Sequence, residues 1–74
     1  DKPLIVTVTA EGELFVADRP VAEAQLDATL LAYPRESPVL VRADKVTRLE
    51  RFVSVVDRIR SLGFRQVSLE VIRA

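Results

Sequence analysis

The chain contains no cysteine, no histidine, no tryptophan and no methionine, and only two glycines in 74 residues. Each absence removes a class of function. Without cysteine there is no disulfide and no thiolate to bind a metal or attack a carbonyl, and the redox compartment is left open. Without histidine the usual imidazole base is missing, so an enzyme built on this sequence would depend on a lysine or carboxylate base. No serine sits in a nucleophile motif, and no glycine-rich loop is present to cradle phosphate. A metal site would need oxygen ligands alone, yet the carboxylates are scattered singly and form no EF-hand pattern. The sequence therefore argues against a catalytic centre, a resident metal and a cofactor.

An excess of one charge is also lacking, since eleven basic and eleven acidic residues cancel. Nucleic acids and anionic membranes select for basic runs, and the densest one here, residues 48–60, is interrupted by Glu50 and Asp57. It reads as a solvated helix face, and nucleic acid is not an expected partner. No apolar run approaches the roughly 18 residues of a membrane span, and no signal peptide is visible. What remains is 49% apolar and 30% charged, a globular balance rather than a disordered one. A fold of about 60 residues buries only about 60% of its unfolded surface, so the core is small and a partner would extend it.

The rest of the chain is organised around residues 38–45, Pro-Val-Leu-Val-Arg-Ala-Asp-Lys, and the amphipathic segment that follows to Gly63. A β-branched run that ends in charges and passes through Thr47 into helical periodicity is a strand handing its chain to a helix. Residues 39–43 are apolar almost throughout, which predicts a strand covered on both faces. Arg42 is the exception, and its guanidinium must reach a sheet edge, a carboxylate or a partner. Thr47 with Glu50 three residues on predicts a capping box, so the helix should begin near Arg48. Its apolar stripe is Leu49, Phe52, Val53, Val56, Ile59 and Leu62, with Val55 at the margin. Gly63 is the expected left-handed cap.

Upstream, residues 4–9 alternate as a strand, residues 10–13 supply a turn around Gly12, and residues 14–17 complete a hairpin. Glu11 and Glu13 flank that turn and read as solvated. Leucines at helical spacing predict a helix over residues 21–33, stopped by Pro34, and then a surface loop to Pro38. Downstream, residues 66–72 form a last strand with Val67, Leu69 and Val71 on the core face. The prediction is an α+β fold in one domain, residues 1–74: a small mixed sheet in the order β-β-α-β-α-β, with two helices packed on one face. The last two strands should run parallel around the second helix.

Two places are candidates for binding. Arg42, Asp44 and Lys45 lie at the carboxyl end of a central strand, where α/β sheets often hold ligands, and could hold an anion or a partner. The plainer reading has Asp44 capping its own turn and pairing with a neighbouring cation. The other candidate is the terminal strand, whose Val67, Leu69 and Val71 either complete the sheet or accept an added strand from a second copy or a peptide.

The residues 39–45, Phe52-Val53, Val56-Asp57, Leu62-Gly63-Phe64 and Val67-Ser68-Leu69 together resemble the ExbD/TolR family. So does Pro20-Val21 followed by Leu26 and Leu30. Ala22 stands where that family usually has a Ser or Thr cap, so the first turn should fray. The resemblance implies the periplasmic domain of a single-pass inner-membrane protein in a stator driven by the proton motive force. It implies a membrane helix with a proton-carrying aspartate upstream of Asp1, so none of the carboxylates here takes that role. The implied partners are a second copy, an ExbB/TolQ-type membrane protein reached through that helix, and a TonB- or TolA-type protein. An ExbD-like member would energise outer-membrane transport, whereas a TolR-like one would serve the Tol-Pal system and engage peptidoglycan. A small anion-binding regulatory domain is the alternative outside the family.

Overall fold

A computed structural model describes residues 3–72. Its chain order is β1 (Leu4–Val8), β2 (Leu14–Val16), β3 (Arg19–Val21), a 3-10 turn (Glu23–Gln25), α1 (Leu26–Leu31), β4 (Val39–Asp44), α2 (Leu49–Ser61) and β5 (Val67–Ile72). The strands form one sheet in the spatial order β3-β2-β1-β4-β5. β1, β2 and β3 are antiparallel neighbours, while β4 runs parallel to both β1 and β5. The mixed sheet, the two helices and the parallel return around α2 agree with the sequence.

β3 was not expected. Residues 19–21 carry a proline and only one apolar residue, so neither alternation nor composition marks them as a strand. They are recruited by a two-residue hairpin, with Val16 opposite Arg19 and both loop residues, Ala17 (φ 52°) and Asp18 (φ 68°), left-handed. That is the type I′ geometry whose twist suits adjoining strands. The first helix is correspondingly shorter than residues 21–33. Val21 belongs to β3, and the helical segment begins as a 3-10 turn at Glu23 with no side-chain cap on Ala22. The missing cap leaves the frayed entry that Ala22 predicts.

One core joins the layers. Leu4, Val6 and Val8 of β1, Leu14 and Val16 of β2, and Val39, Val41 and Ala43 of β4 face Leu26 and Leu30 of α1 and Val55, Val56 and Ile59 of α2, with Phe64 closing one end. β4 is a correction: it alternates buried and half-buried residues, so only one of its faces is covered. Leu40 is apolar on the open face, which made the run look continuous.

α2 is rotated relative to the predicted stripe. Val55, placed at the margin, is 1% exposed, whereas Leu49 and Val53 are 74% and 47% exposed. The cause lies on the other flank. Arg51 donates through Nη2 to the Gly12 carbonyl, 2.9 Å, and Arg58 through Nη2 to Asp27 Oδ1, 2.9 Å, which turns that side of the helix toward the β1–β2 turn and α1. The capping box is absent as well. The N-cap residue is Arg48, with no side-chain cap. Thr47 Oγ1 donates instead to the Thr9 carbonyl, 3.2 Å, and lies 3.5 Å from that of Val8.

Candidate partner-docking edge

The sheet ends differently on its two sides. At one end β3 is three residues long and centred on Pro20, which has no N–H to offer. A short edge interrupted by proline resists strand addition. At the other end β5 is six residues without proline, and no described residue pairs with its outer side.

The hydrogen bonds to β4 fix which backbone groups of β5 are free. Val39 N–H donates to the Gln66 carbonyl, 2.7 Å, and Lys45 N–H to the Ile72 carbonyl, 3.1 Å. Backbone groups alternate sides along a strand, so the even-numbered residues serve the ladder to β4. The N–H and C=O groups of Val67, Leu69 and Val71 therefore point away from the sheet.

Their side chains lie on the helix-covered face, because Val67, Leu69 and Val71 are in register with Val39, Val41 and Ala43. The shared face agrees with the sequence; the coverage does not. Val67 is half-buried, but Leu69 and Val71 are 56% and 58% exposed. α2 does not reach over the outer part of β5. Covering these two side chains would contribute on the order of 1 kcal/mol each. The exposed Leu49 and Val53 of α2 line a shallow groove with Ser54, Asp57 and Ser61 that reaches Arg58 and, on α1, Asp27.

Arg42, Asp44 and Lys45 do not converge. Arg42 lies on the open face of the sheet, its Nε shielded from water and 2.9 Å from Glu70 Oε1 on β5. The N–H is not aligned on that oxygen, so this is an ion pair by proximity rather than a hydrogen bond. With both side chains 39% or more exposed, it contributes at most about 1 kcal/mol. Asp44 accepts a hydrogen bond from the Val46 N–H on Oδ1, 3.0 Å, the turn-capping role, and no described cation pairs with it. Lys45 is exposed and contributes its backbone N–H to the end of the β4–β5 ladder. These three residues form no anion cradle. Arg42 and the Lys45 backbone N–H thus tie β5 to β4, whereas the Asp44 side chain serves its own turn. Glu70 is the residue that sequence reasoning left unnamed. Its signal was available in retrospect, since a parallel return pairs the middle of the last strand with the middle of the third predicted strand.

No helix among the described residues is long and apolar enough to cross a membrane, and no group of acidic side chains among them could hold a metal ion. Comparison with known proteins gives a consistent result. Residues 1–73 match the family model described as biopolymer transport protein ExbD/TolR. The chain is 37% identical over 68 residues to the biopolymer transport protein ExbD of Aquifex aeolicus (strain VF5), covering 92% of this chain and 52% of that protein. It is 25% identical over 72 residues to ExbD of Escherichia coli (strain K12), covering 93% of this chain and 51% of that one. The chain thus spans about half the length of these relatives. A family match over nearly every residue, with the sheet and helices in place, shows that this chain belongs to the ExbD/TolR family of biopolymer transport proteins.

Proposed function

We propose that residues 1–74 act as one periplasmic domain of an ExbD-like stator component, which transmits force by binding partners rather than by catalysis. The observation that carries this reading is the free edge of β5: three outward-pointing backbone pairs flanked by the uncovered Leu69 and Val71. An extended segment laid along such an edge gains main-chain hydrogen bonds from the strand and specificity from alternate side chains. In this reading the edge serves a second copy of the chain or a TonB-type segment, energising transport through the outer membrane. The membrane helix and the ExbB/TolQ-type partner belong to the same proposal through family membership.

The test is an amide-shift NMR titration of the 74-residue chain with an extended TonB-type peptide and, separately, with soluble peptidoglycan fragments. Shifts concentrated on Val67, Leu69 and Val71 with the peptide alone are expected. Shifts with the glycan alone would replace this reading by a TolR-like one, and silence toward both would leave a second copy of the chain as the only partner supported for this edge.

A further inference from the structure

β5 completes the sheet without entering the core. The buried core draws on β1, β2, β4, both helices and Phe64, whereas Val67 of β5 packs only against its margin. Residues 68–71 of the strand are all exposed. We infer that β5 is a breakaway strand, which opens from β4 as one unit while the other elements stay folded.

The ladder to β4 and the Arg42–Glu70 ion pair are what hold the strand. Ladder groups exchange a protein partner for water when the strand leaves, so their net contribution is small, and six residues regain backbone freedom. The ion pair is partly exposed and therefore screened. Arg42 Nε, shielded from water and without a hydrogen-bond partner, regains hydration in the open state, which offsets part of the loss of that pair. The central strands have no such route. Opening β1, β2 or β4 would expose apolar side chains that are at most 6% exposed in the fold.

The opening has a defined root. Phe64 is 2% exposed and closes one end of the core, while Arg65 and Gln66, between it and the strand, are exposed. β5 can therefore swing from residues 65–66 with Phe64 and α2 in place. β3, at the other end of the sheet, also adds nothing to the buried core, but it lies in the chain between β2 and α1, whose Leu14, Val16, Leu26 and Leu30 are buried. β3 is pinned on both sides, whereas the described part of β5 is pinned only at Phe64.

A partner docked on the outer edge, the function proposed for this strand, would pull on the domain through β5 alone. Release of β5 then limits the load that reaches the core and removes the docking edge in the same step. The detachment itself is a property of the free chain and does not rest on that docking.

Native-state hydrogen exchange of the free 74-residue chain, followed by NMR, tests it. β4 carries its own control, because Val39 N–H donates to the Gln66 carbonyl while the Pro38 carbonyl accepts from Leu4 N–H. The odd-numbered N–H groups of β4 therefore point to β5 and the even-numbered ones to β1. After correction for intrinsic rates, Val41 and Ala43, together with Ser68 and Glu70 of β5, should exchange at least about tenfold faster than Leu40 and Arg42. Their exchange should also depend less on urea, because the opening exposes little surface. Glu70→Gln, at an exposed position, should speed the first group by up to about fivefold and leave Leu40 and Arg42 unchanged. If Glu70→Gln speeds neither group while the two stay apart, the breakaway strand stands and the ladder alone holds it. One exchange free energy and one urea slope for both groups would overturn the inference, since β5 would then open only with the whole domain. Equal acceleration of both groups by Glu70→Gln would overturn it for the same reason. With no peptide present, failure here leaves the edge-docking reading to its own titration.

Discussion

Arg58 of α2 holds Asp27 of α1 through two nitrogens on one oxygen, Nη2 at 2.9 Å and Nε at 3.2 Å from Oδ1. Its Nη2 also donates to the Glu23 carbonyl, 3.2 Å, and Arg51, two turns earlier, lies 2.9 Å from Glu23 Oε1. A six-residue helix has little stability of its own, so this pair of arginines and the buried Leu26 and Leu30 keep α1 in place. Arg58→Ala should lower the unfolding free energy by about 1–2 kcal/mol. The side chains are 31% and 49% exposed, so screening limits the Arg58–Asp27 coupling to roughly 0.5–1 kcal/mol. A double-mutant cycle with Asp27→Ala, read by urea unfolding, measures it. Coupling near zero would mean that the leucines alone hold α1.

Thr47 and Glu50 share the spacing of a capping box without forming one. Thr47 Oγ1 is spent on the carbonyl end of β1, and Glu50 lies 3.8 Å from Arg48 with both side chains more than 80% exposed. Thr47→Val should therefore cost about 1 kcal/mol by removing a half-buried hydrogen bond. Glu50→Ala should change stability by less than about 0.5 kcal/mol. Thermal unfolding distinguishes the two, and a large loss with Glu50→Ala would restore the capping box.

The difference between those two readings shows where sequence reasoning holds and where it stops. Strand β1 and the length of α2 were legible because alternation and helical spacing are local patterns that their burial then enforces; β4 was legible as an apolar β-branched run, although its open face was not. The capping box failed because Thr47 found a nonlocal acceptor on a strand 38 residues earlier. The rotation of α2 had the same kind of cause, since Arg51 and Arg58 look like solvated charges until Gly12, Glu23 and Asp27 are placed beside them. At the candidate edge the sequence supplied the right strand and the right face of Val67, Leu69 and Val71. It could not supply their exposure, which depends on how far α2 reaches across the sheet. Arg42 was correctly expected to need a carboxylate, but Glu70 became its partner only through the β4–β5 register.

Ala17 occupies a conformation that alanine does not favour. With φ of 52° it takes the first position of the β2–β3 hairpin, and Asp18 follows at 68°. Its N–H is engaged with the Ile5 carbonyl, 2.9 Å, so the residue cannot relax without loosening the β1–β2 ladder. A left-handed non-glycine residue costs on the order of 1 kcal/mol. Ala17→Gly should recover up to about that amount, and Ala17→Asn part of it, because both tolerate positive φ while keeping the N–H. A rise in the urea midpoint at constant slope is the expected result, and destabilisation by Ala17→Gly would mean that the alanine conformation is not strained.

Gly63 and Arg35 close the far end of α2 together, and their variants separate backbone strain from capping. Gly63 has φ of 106°, and a Cβ there would meet the Arg35 side chain at 3.6 Å, an ordinary contact. The penalty for Gly63→Ala is therefore conformational, about 1–2 kcal/mol, rather than steric. Arg35 donates through Nε to the Leu62 carbonyl, 3.2 Å, and its Nη1 lies 3.3 Å and 3.4 Å from the carbonyls of Tyr33 and Leu31. One guanidinium thus satisfies orphan carbonyls after both helices, where a positive charge also opposes the helix dipoles. Arg35→Ala should cost about 1 kcal/mol, and Arg35→Lys should recover only part because an ammonium cannot reproduce the planar fork. Added salt should shrink the difference between Arg35→Ala and the unmodified chain, while leaving the cost of Gly63→Ala unchanged. A salt-independent Arg35→Ala penalty would assign the residue a packing role over Gly63 instead of a capping one.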